Sequence, residues 1–297
     1  MAKLPPALVE HIRKSNIHNR TYVTSVEDFI KQMMSVEIDG QLPMAFRGQR
    51  SDKWRTAAPI LRKGSRLLNY EKEMVRDLIS IHPQEFQNDM TMFDRLVRMQ
   101  HFGLPTRLLD VSTNPLVALY FAAEDGDRDE PTDGKVFAYY VPNYRRRYFD
   151  SDVVSCMANL SNLSKSQKEE LERSALLPRD EFNEQDVVAR LANFIRLEKP
   201  SFLTNIDPND LYRPVYVLPK MSNRRIIAQS GAFIIYGLES KSGTRYDTDI
   251  KAKAFFIRAA DKQVVRNQLE RLGIHPSSLF PEIDKAAGLI VSRYLRE

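Results

Sequence analysis

The chain has 297 residues, of which 42% are hydrophobic and 28% are charged, a composition typical of a globular protein with a sizeable core. Its net charge of +5 is a mild basic excess, compatible with an anionic ligand such as a nucleotide or nucleic acid and equally with an ordinary basic surface. The single cysteine, Cys156, excludes a disulfide within the chain and favours a reducing cytoplasm as the location. The sequence contains no long uncharged apolar run of the kind that predicts a membrane span, and the first residues lack the apolar core of a signal peptide.

The first hundred residues are predicted to be mostly helical. Residues 6–36 predict two helices, the second of which begins near Thr24, where a hydroxyl cap precedes acidic and then apolar residues. Residues 42–48 form a short apolar run that ends in glycine, which predicts a buried strand followed by a turn. Residues 69–101 repeat apolar side chains at helical spacing, and we expect Pro83 to divide them into two helices.

The next segment predicts a strand, a helix and a second strand. Residues 108–110 form the first strand, and Pro115 suits the start of a helix that continues to Ala123, because proline lacks the N–H that would have no partner there. Residues 124–134 are acidic and contain proline and glycine, so we expect a surface loop. The β-branched and aromatic residues from Lys135 onward predict the second strand.

The remainder of the chain predicts a helical insertion and then the completion of a sheet. Residues 143–208 contain one helix capped near Ser164 and another at 181–197. Further strands and closing helices are predicted at 212–218, 226–236, 253–257, 261–272 and 279–295. We therefore expect a single domain over residues 1–297, with N-terminal helices (1–40), a motif core (41–142), the insertion (143–208), the sheet completion (209–260) and C-terminal helices (261–297).

Three motifs stand out because generic packing does not require them. They are Phe46-Arg47-Gly48-Gln49, the run from Gln100-His101-Phe102-Gly103-Leu104-Pro105-Thr106-Arg107-Leu108-Leu109-Asp110 to the Thr113-Asn114-Pro115 helix, and Gln229-Ser230-Gly231-Ala232-Phe233. Together they resemble the FRG domain family, which is named for the Phe-Arg-Gly of its first motif. The resemblance covers about residues 25–140, with Val111 standing where the family often has an aromatic residue, and beyond 145 it thins to the Gln229 motif.

The same motifs have a more distant resemblance to ADP-ribosyltransferases. Those enzymes have an Arg-Gly at the end of a first strand and a Ser/Thr motif before an Asn-Pro helix, a place that Ser112-Thr113 takes here. This resemblance implies an α+β fold with a split, partly antiparallel sheet, surrounding helices and a helical insertion. The catalytic glutamate that such enzymes carry on a late strand is not found near 229–233, so Asp110, or more distantly Glu198 or Glu239, would have to replace it.

The resemblance implies a pocket for a nucleotide such as NAD. The sequence has no Cys/His spacing typical of a metal site, so no metal is expected. Arg47 would hold the phosphates, His101 would polarise a leaving group or stack on a base, and Asp110 would orient Arg107 or bind a ribose hydroxyl. These expectations assign a catalytic role to Arg47, His101 and Asp110, and they assign nucleotide contacts to Arg47, Gly48, Gln49, Arg107, Thr113, Asn114 and Gln229. Gly48 would allow a close backbone approach, and Thr113 and Asn114 would offer a helix N-terminus to an anion.

Each of these polar residues also has a structural interpretation. Arg47 could form a buried ion pair with Asp110 or Glu71, and Arg107 could pair with Asp110, three residues away. His101 could be a core histidine that bonds a backbone carbonyl. The motifs alone do not decide between these roles and ligand binding.

Three classes of function remain open at this stage. The first is an enzyme or degenerate enzyme of the ADP-ribosyltransferase type, and proteins of that kind in bacteria often act as toxins or in defence against phage. The second is a nucleic-acid-binding protein or nuclease, for which the basic and aromatic candidates are Arg50, Lys53, Arg55, Arg145, Arg146, Arg147, Arg224, Arg225, Tyr139, Tyr140, Tyr144 and Tyr148. The third is a non-enzymatic sensor or scaffold that binds a protein partner through residues 145–208.

Overall fold

A computed structural model describes residues 20–54, 56–62, 66–124, 131–238 and 249–281 of the chain. This part has a mixed eight-stranded sheet with helices around it, which confirms the predicted α+β class. The strands are β1 (Thr21–Tyr22), β2 (Ala45–Gln49), β3 (Leu108–Ser112), β4 (Gly134–Tyr140), β5 (Arg146–Tyr148), β6 (Val215–Leu218), β7 (Gly231–Ile235) and β8 (Lys251–Ile257). Their order across the sheet is β1-β8-β4-β2-β3-β7-β6-β5.

The α-helices lie between and after these strands. They are α1 (Val26–Met34), α2 (Glu71–Ile81), α3 (Met92–His101), α4 (Pro115–Ala123), α5 (Asp152–Asn159), α6 (Lys165–Ser174), α7 (Arg179–Asn183), α8 (Asp186–Arg196), α9 (Arg224–Ala228), α10 (Lys262–Arg271) and α11 (Pro276–Leu279). None of the helices in the described ranges is long and apolar enough to cross a bilayer.

The sheet consists of two halves that meet at one residue pair. Strand β2 pairs along its whole length with β4, but it pairs with β3 only where Phe46 lies opposite Ser112. Beyond that pair the edges of β2 and β3 separate and leave a gap in the hydrogen-bonded ladder. Backbone groups at such a gap need other partners, since unpaired buried N–H and C=O groups are costly.

One face of the sheet carries two separate hydrophobic layers. Helices α1, α4 and α10 pack on the half formed by β2, β4 and β8. Helices α3 and α5 pack on the half formed by β3, β6 and β7. Because Phe46 and Leu108 belong to these two layers and point to the same side of the sheet, the layers lie side by side above the gap. A smaller cluster on the other face includes Ala45, Leu109 and Val111.

Helix α4 is held unusually close to the sheet. It begins at Pro115, as predicted, and it is apolar on all sides, which is typical of a fully buried helix. A Cβ atom on Gly48 would lie 1.8 Å from the carbonyl oxygen of Ala118, and one on Gly134 would lie 2.0 Å from that of Ala122. The two glycines therefore let the helix rest directly on β2 and β4.

The helical insertion has its own hydrophobic cluster. Apolar side chains of α5, α6, α7 and α8 pack together with residues that precede β6. The Ser164 cap is confirmed at the start of α6, and the predicted helix at 181–197 is divided into α7 and α8. Helix α5 was not predicted from the sequence, and neither was the short strand β5, which joins the edge of the sheet beside β6.

The predicted strand at 226–236 was wrong in its first half. The side chain of Asn223 accepts a hydrogen bond from the N–H of Arg225 at 2.7 Å and starts helix α9 instead. Ser230 then adopts a left-handed conformation, with φ of 47°, which turns the chain into β7. Local capping therefore overrides the β-branched residues Ile226 and Ile227.

The other predicted elements agree with the structure within a few residues. Ser25 caps α1, the break after α2 begins at Pro83, and the strands β2, β3, β4 and β8 lie where the sequence placed them. Several predictions fall outside the described residues: the helix before residue 20, Arg55, most of the loop at 124–134, Glu239, and the last predicted helix beyond residue 281.

Candidate functional site

A cleft of about 260 Å³ opens between α3 and α4, above the gap between β2 and β3. Its walls come from every motif that the sequence analysis singled out, together with α9. The polar residues that line it are Arg47, Gln100, His101, Asp110, Ser112, Asn223, Arg225 and Gln229, and apolar lining includes Phe46, Val97, Val111, Val117, Phe121, Ile226 and Phe233. Mixed apolar walls with a few convergent polar groups are typical of ligand pockets.

Arg47 spans the gap with its side chain. Its Nη1 donates a hydrogen bond of 2.7 Å to the backbone carbonyl of Asp110, which satisfies one of the acceptors that the missing strand pairing leaves. Its Nε is buried and has no hydrogen-bond partner within the described residues. The partner is the carbonyl rather than the carboxylate of Asp110, and Glu71 lies elsewhere, so neither predicted ion pair of Arg47 forms.

Gln100 provides a second buried donor at the same cleft. Its Oε1 accepts a hydrogen bond from the hydroxyl of Thr106, and that hydroxyl accepts one from the N–H of Leu108 at 3.2 Å. The remaining Nε2 is buried without a partner among the described residues. A buried donor left unpaired costs about 1–3 kcal/mol. Gln100 and Arg47 therefore both line the cleft, and each has a buried donor without a partner among the described residues.

Positive charge predominates around the cleft. Arg225 lines it, with its guanidinium 5.1 Å from the ring centre of Phe280. Burial and the nearby charge of Arg47 lower the pKa of Arg62, and Asp110 partly offsets this. Of the described residues that line the cleft, Asp110 alone carries a carboxylate. The cleft is therefore suited to an anion.

A second pocket, which we call the side pocket, adjoins the cleft. It has a volume of about 230 Å³. It shares Arg47, Gly48 and Phe121 with the cleft and is otherwise lined by Gln49, Arg50, Trp54, Arg62 and Glu124. Arg47 lies at the boundary between the two spaces.

The structure gives Gly48 a packing role. The Cβ of any other residue would collide with the backbone of α4, so glycine is required here for helix–strand contact whether or not a ligand is bound. Gln49, on the same strand, is buried and accepts a hydrogen bond of 3.3 Å from Thr56. It lines the side pocket rather than the cleft.

Arg107 lies outside the cleft. It is 1% exposed, and its guanidinium binds both carboxylate oxygens of Glu71, at 2.9 and 2.5 Å. Its Nη1 also donates to the carbonyls of Tyr236 and Gly237 at 3.0 Å. The expected pairing with Asp110 does not occur, because residues three apart near the start of a strand point to opposite faces of the sheet.

Thr113 and Asn114 also lie outside the cleft. Asn114 accepts a hydrogen bond of 2.9 Å from the N–H of Leu116, so it already caps its own helix at the place assigned to a ligand anion. The hydroxyl of Thr113 is exposed and donates to the carbonyl of Ser230 at 3.2 Å. Both residues thus join the start of α4 to β7.

Gln229 and His101 line the cleft as predicted. The side chain of Gln229 donates to the carbonyl of Leu279 at 3.1 Å, and its own carbonyl accepts from the hydroxyl of Ser112 at 2.7 Å. It therefore connects the end of α11 to the floor of the cleft. His101 is half-buried and meets Phe102 edge-on, with ring centres 5.0 Å apart.

The acids considered as substitutes for a catalytic glutamate have different locations. Glu198 does not line the cleft; it accepts hydrogen bonds from the N–H of Met92 at 2.6 Å and from Asn159 at 3.1 Å. Burial raises the pKa of Glu198, although the bond from Met92 opposes this. Glu239 is outside the described residues, so Asp110 is the one of the three that the structure locates in the cleft.

The basic cluster at residues 145–147 is mostly engaged within the protein. Arg145 is buried and pairs with Asp249 at 3.2 Å. Arg146 donates to the carbonyl of Val141 at 3.1 Å, and Arg147 donates to the carbonyl of Arg146 at 2.8 Å. These contacts favour a structural role for the cluster over a nucleic-acid surface.

The family model of the FRG domain matches residues 43–131 of this chain. That range contains β2, α3, β3 and α4, which form most of the cleft. The chain therefore contains an FRG domain. No curated protein and no solved structure matches the chain, so the resemblance to ADP-ribosyltransferases rests on the motifs alone.

Proposed function

We propose that the cleft binds a nucleotide through its phosphate groups, with NAD as the candidate ligand suggested by the motifs. The observation that carries this proposal is the pair of unsatisfied buried donors, Arg47 Nε and Gln100 Nε2, on residues that line one cleft. Two such donors together cost the free protein several kcal/mol, roughly, unless an acceptor pairs with them. A phosphate offers several strong acceptor oxygens, and its charge complements the arginines nearby.

The surroundings of the donors favour a nucleotide over a free inorganic anion. Aromatic and aliphatic side chains such as Phe46, Phe121 and Phe233 cover much of the cleft, and these surfaces suit a ribose or a base. The cleft of about 260 Å³ lies near the lower end of the range of roughly 300–1,000 Å³ that small-molecule sites occupy. It would hold one half of a dinucleotide.

The proposal extends to transfer of ADP-ribose, with Asp110 as the carboxylate that stabilises the reacting sugar. In that reaction the bond between nicotinamide and ribose breaks, its electrons leave with nicotinamide, and the acceptor bonds to the ribose carbon. A carboxylate beside the developing positive charge on the sugar stabilises it. Asp110 is the candidate because it is the residue with a carboxylate among the described residues that line the cleft. A toxin or phage-defence role would follow from that activity.

The test uses Gln100→Glu, because a carboxylate keeps the acceptor for the Thr106 hydroxyl while it removes the donor and adds a charge that repels phosphate. We expect NAD to raise the melting temperature of the wild-type protein and to bind saturably in calorimetry. We expect Gln100→Glu to weaken that binding at least tenfold, since a hydrogen bond to a charged group contributes roughly 1.5–3 kcal/mol.

The matched control is Gln87→Glu, which makes the same change at an exposed position and should bind NAD like the wild type. Absence of NAD binding to the folded wild-type protein, or equal binding by Gln100→Glu, would contradict the proposal. If the ligand is a nucleic acid instead, affinity should fall steeply with salt because several phosphate contacts release counterions. Release of nicotinamide is then measured in the wild type and in Asp110→Asn. Release by the wild type that Asp110→Asn loses indicates turnover, and binding without release indicates binding alone.

A further inference from the structure

The side pocket combines an exposed aromatic ring with an excess of positive charge. Trp54 is the only tryptophan of the chain, and it is 48% exposed. The guanidinium of Arg50 lies over its ring, 5.1 Å from the centre, and so covers one face of the indole. Such a ring can stack on a planar group of a ligand, and base–aromatic stacking is a strong, sequence-tolerant interaction.

The described residues of the side pocket carry more positive than negative charge. Among them, the guanidiniums of Arg47, Arg50 and Arg62 line the pocket together with the carboxylate of Glu124. The repulsion between Arg62 and Arg47 contributes to the lowered pKa of Arg62, after burial. An anion placed between these two arginines would remove that repulsion and would be bound by both.

The side pocket and the cleft adjoin at Arg47. Both spaces are lined by Arg47, Gly48 and Phe121, so a ligand that extends past this arginine from one space would reach the other. A molecule with a diphosphate in the middle and a ring at each end would place its charge at Arg47 and its rings in the two spaces. A mononucleotide would leave the side pocket empty.

We propose that the side pocket is a second subsite for the same ligand, in which Arg62 joins Arg47 on a diphosphate and Trp54 stacks on the second ring. The ligand class is therefore a dinucleotide rather than a mononucleotide. This inference rests on the proposed function of the cleft, but it assigns roles to Arg62 and Trp54 that the cleft does not require. It involves no bond formation.

The fluorescence of Trp54 tests the proposal directly, because no other tryptophan contributes to the signal. Excitation is set where adenine does not absorb. NAD should quench or shift the emission, with a midpoint equal to the dissociation constant from calorimetry. Nicotinamide mononucleotide, the half of NAD that the proposed function places beside Asp110 in the cleft, should bind without this change, and inorganic phosphate should not produce it. Equal quenching by nicotinamide mononucleotide and NAD would overturn the second subsite.

Calorimetry on two variants provides the independent measurement. Trp54→Ala and Arg62→Gln should each weaken NAD binding about tenfold and leave the binding of nicotinamide mononucleotide within about twofold. The matched controls are Tyr148→Ala, an exposed aromatic on β5, and Arg271→Gln, an exposed arginine on α10. Both controls should bind NAD like the wild type.

The outcomes separate this inference from the proposed function. If Gln100→Glu loses NAD while Trp54→Ala and Arg62→Gln bind it normally, the cleft binds the nucleotide and the second subsite is wrong. If the wild-type protein binds neither NAD nor nicotinamide mononucleotide, both proposals fail. Selective loss of NAD, but not of nicotinamide mononucleotide, in the two side-pocket variants supports the dinucleotide.

Discussion

Arg47 and Arg107 are both motif residues, but their side chains have different surroundings. The guanidinium of Arg107 is satisfied within the core by Glu71 and two carbonyls. Arg47 uses Nη1 to bridge the strand gap and keeps Nε without a partner among the described residues. Every guanidinium nitrogen of Arg107 is thus paired within the fold, whereas Arg47, which lines the cleft, keeps one buried nitrogen without such a partner.

The charges buried with Arg107 form a triad. Glu71 is 2% exposed, and it accepts a hydrogen bond of 2.6 Å from Lys168 in addition to those from Arg107. Burial alone would raise the pKa of Glu71, but the charges and hydrogen bonds of Arg107 and Lys168 outweigh that effect and hold the pKa below its ordinary value. The carboxylate is therefore the central member on which both cations depend.

The variant Glu71→Gln tests whether the triad stabilises the fold. The change leaves two cations buried without a counter-charge, and breaking a buried ion pair in this way costs roughly 3–5 kcal/mol. Urea unfolding followed by circular dichroism should show a free energy of unfolding reduced by that amount. Glu73→Gln, an exposed change on the same helix, should stay within about 0.5 kcal/mol of the wild type. A similar small effect at Glu71 would show that the triad is not a stabilising contact.

At the scale of elements, the contact of α4 with the sheet decides where the cleft lies. The helix rests on β2 at Gly48 and on β4 at Gly134, and its side chains Val117, Ala118 and Phe121 form one wall of the cleft. A helix shifted outward at Gly48 would alter this wall and the gap together. Packing and site geometry therefore depend on the same two glycines.

Gly48→Ala tests this dependence. The added methyl group would lie 1.8 Å from the carbonyl oxygen of Ala118, so the helix must move, and we expect a loss of stability of about 1–3 kcal/mol or more. The comparison is Gly231→Ala, where the nearest atom is the Cγ2 methyl of Ile226 at 3.3 Å and the backbone of Ile226 lies at 3.4 Å, so a shift of a few tenths of an ångström suffices. Thermal unfolding of both variants measures the difference. Equal effects would show that α4 can move freely on β2.

At the scale of the whole molecule, the triad joins parts of the chain that are distant in sequence. Glu71 comes from α2, Arg107 precedes β3, and Lys168 lies on α6 in the helical insertion. The same arginine holds the backbone that follows β7, at Tyr236 and Gly237. The insertion is thus attached to the motif core by buried charges as well as by hydrophobic packing.

This attachment predicts a pH dependence. Because the pKa of Glu71 is lower in the folded protein than its ordinary value of 4.5, the triad contributes its full stability above about pH 4.5 and loses it as the pH falls through the folded-state value. The difference in unfolding free energy between wild type and Glu71→Gln should be constant near neutral pH and should shrink in acid. Urea titrations at about pH 7 and about pH 3.5 measure it.

A second variant covers the case in which Glu71→Gln does not fold. Lys168→Met removes one of the two cations that lower the pKa of Glu71, so the folded-state pKa should lie nearer its ordinary value, and the stability that the variant loses below about pH 4.5 should be smaller than in the wild type. Lys165→Met, at an exposed position on the same helix, is the control. If Lys168→Met leaves the acid transition as it is in the wild type and in the Lys165→Met control, the assignment of that transition to Glu71 is contradicted.

Most local elements were predictable from the sequence because their signals are local. Ser25, Ser164 and Pro115 define helix starts through caps and the missing proline N–H, and apolar periodicity defined α2, α3 and α10. The failure at 226–236 has the same origin: a cap at Asn223 and a left-handed Ser230 carry a weaker signal than a run of β-branched residues. The motifs also indicated four polar cleft residues, Arg47, His101, Asp110 and Gln229.

Residue patterns along the chain were enough to predict the α+β class, the FRG motifs and several residues of the cleft. The pairing of the polar atoms became apparent only in the folded chain. It brought Glu71 and Lys168 to Arg107, left donors of Arg47 and Gln100 unsatisfied, and placed Trp54 and Arg62 beside Arg47. The physical reason is that helix caps and strand periodicity act between neighbours in the chain, whereas the pairing of buried charges depends on residues that only folding brings together.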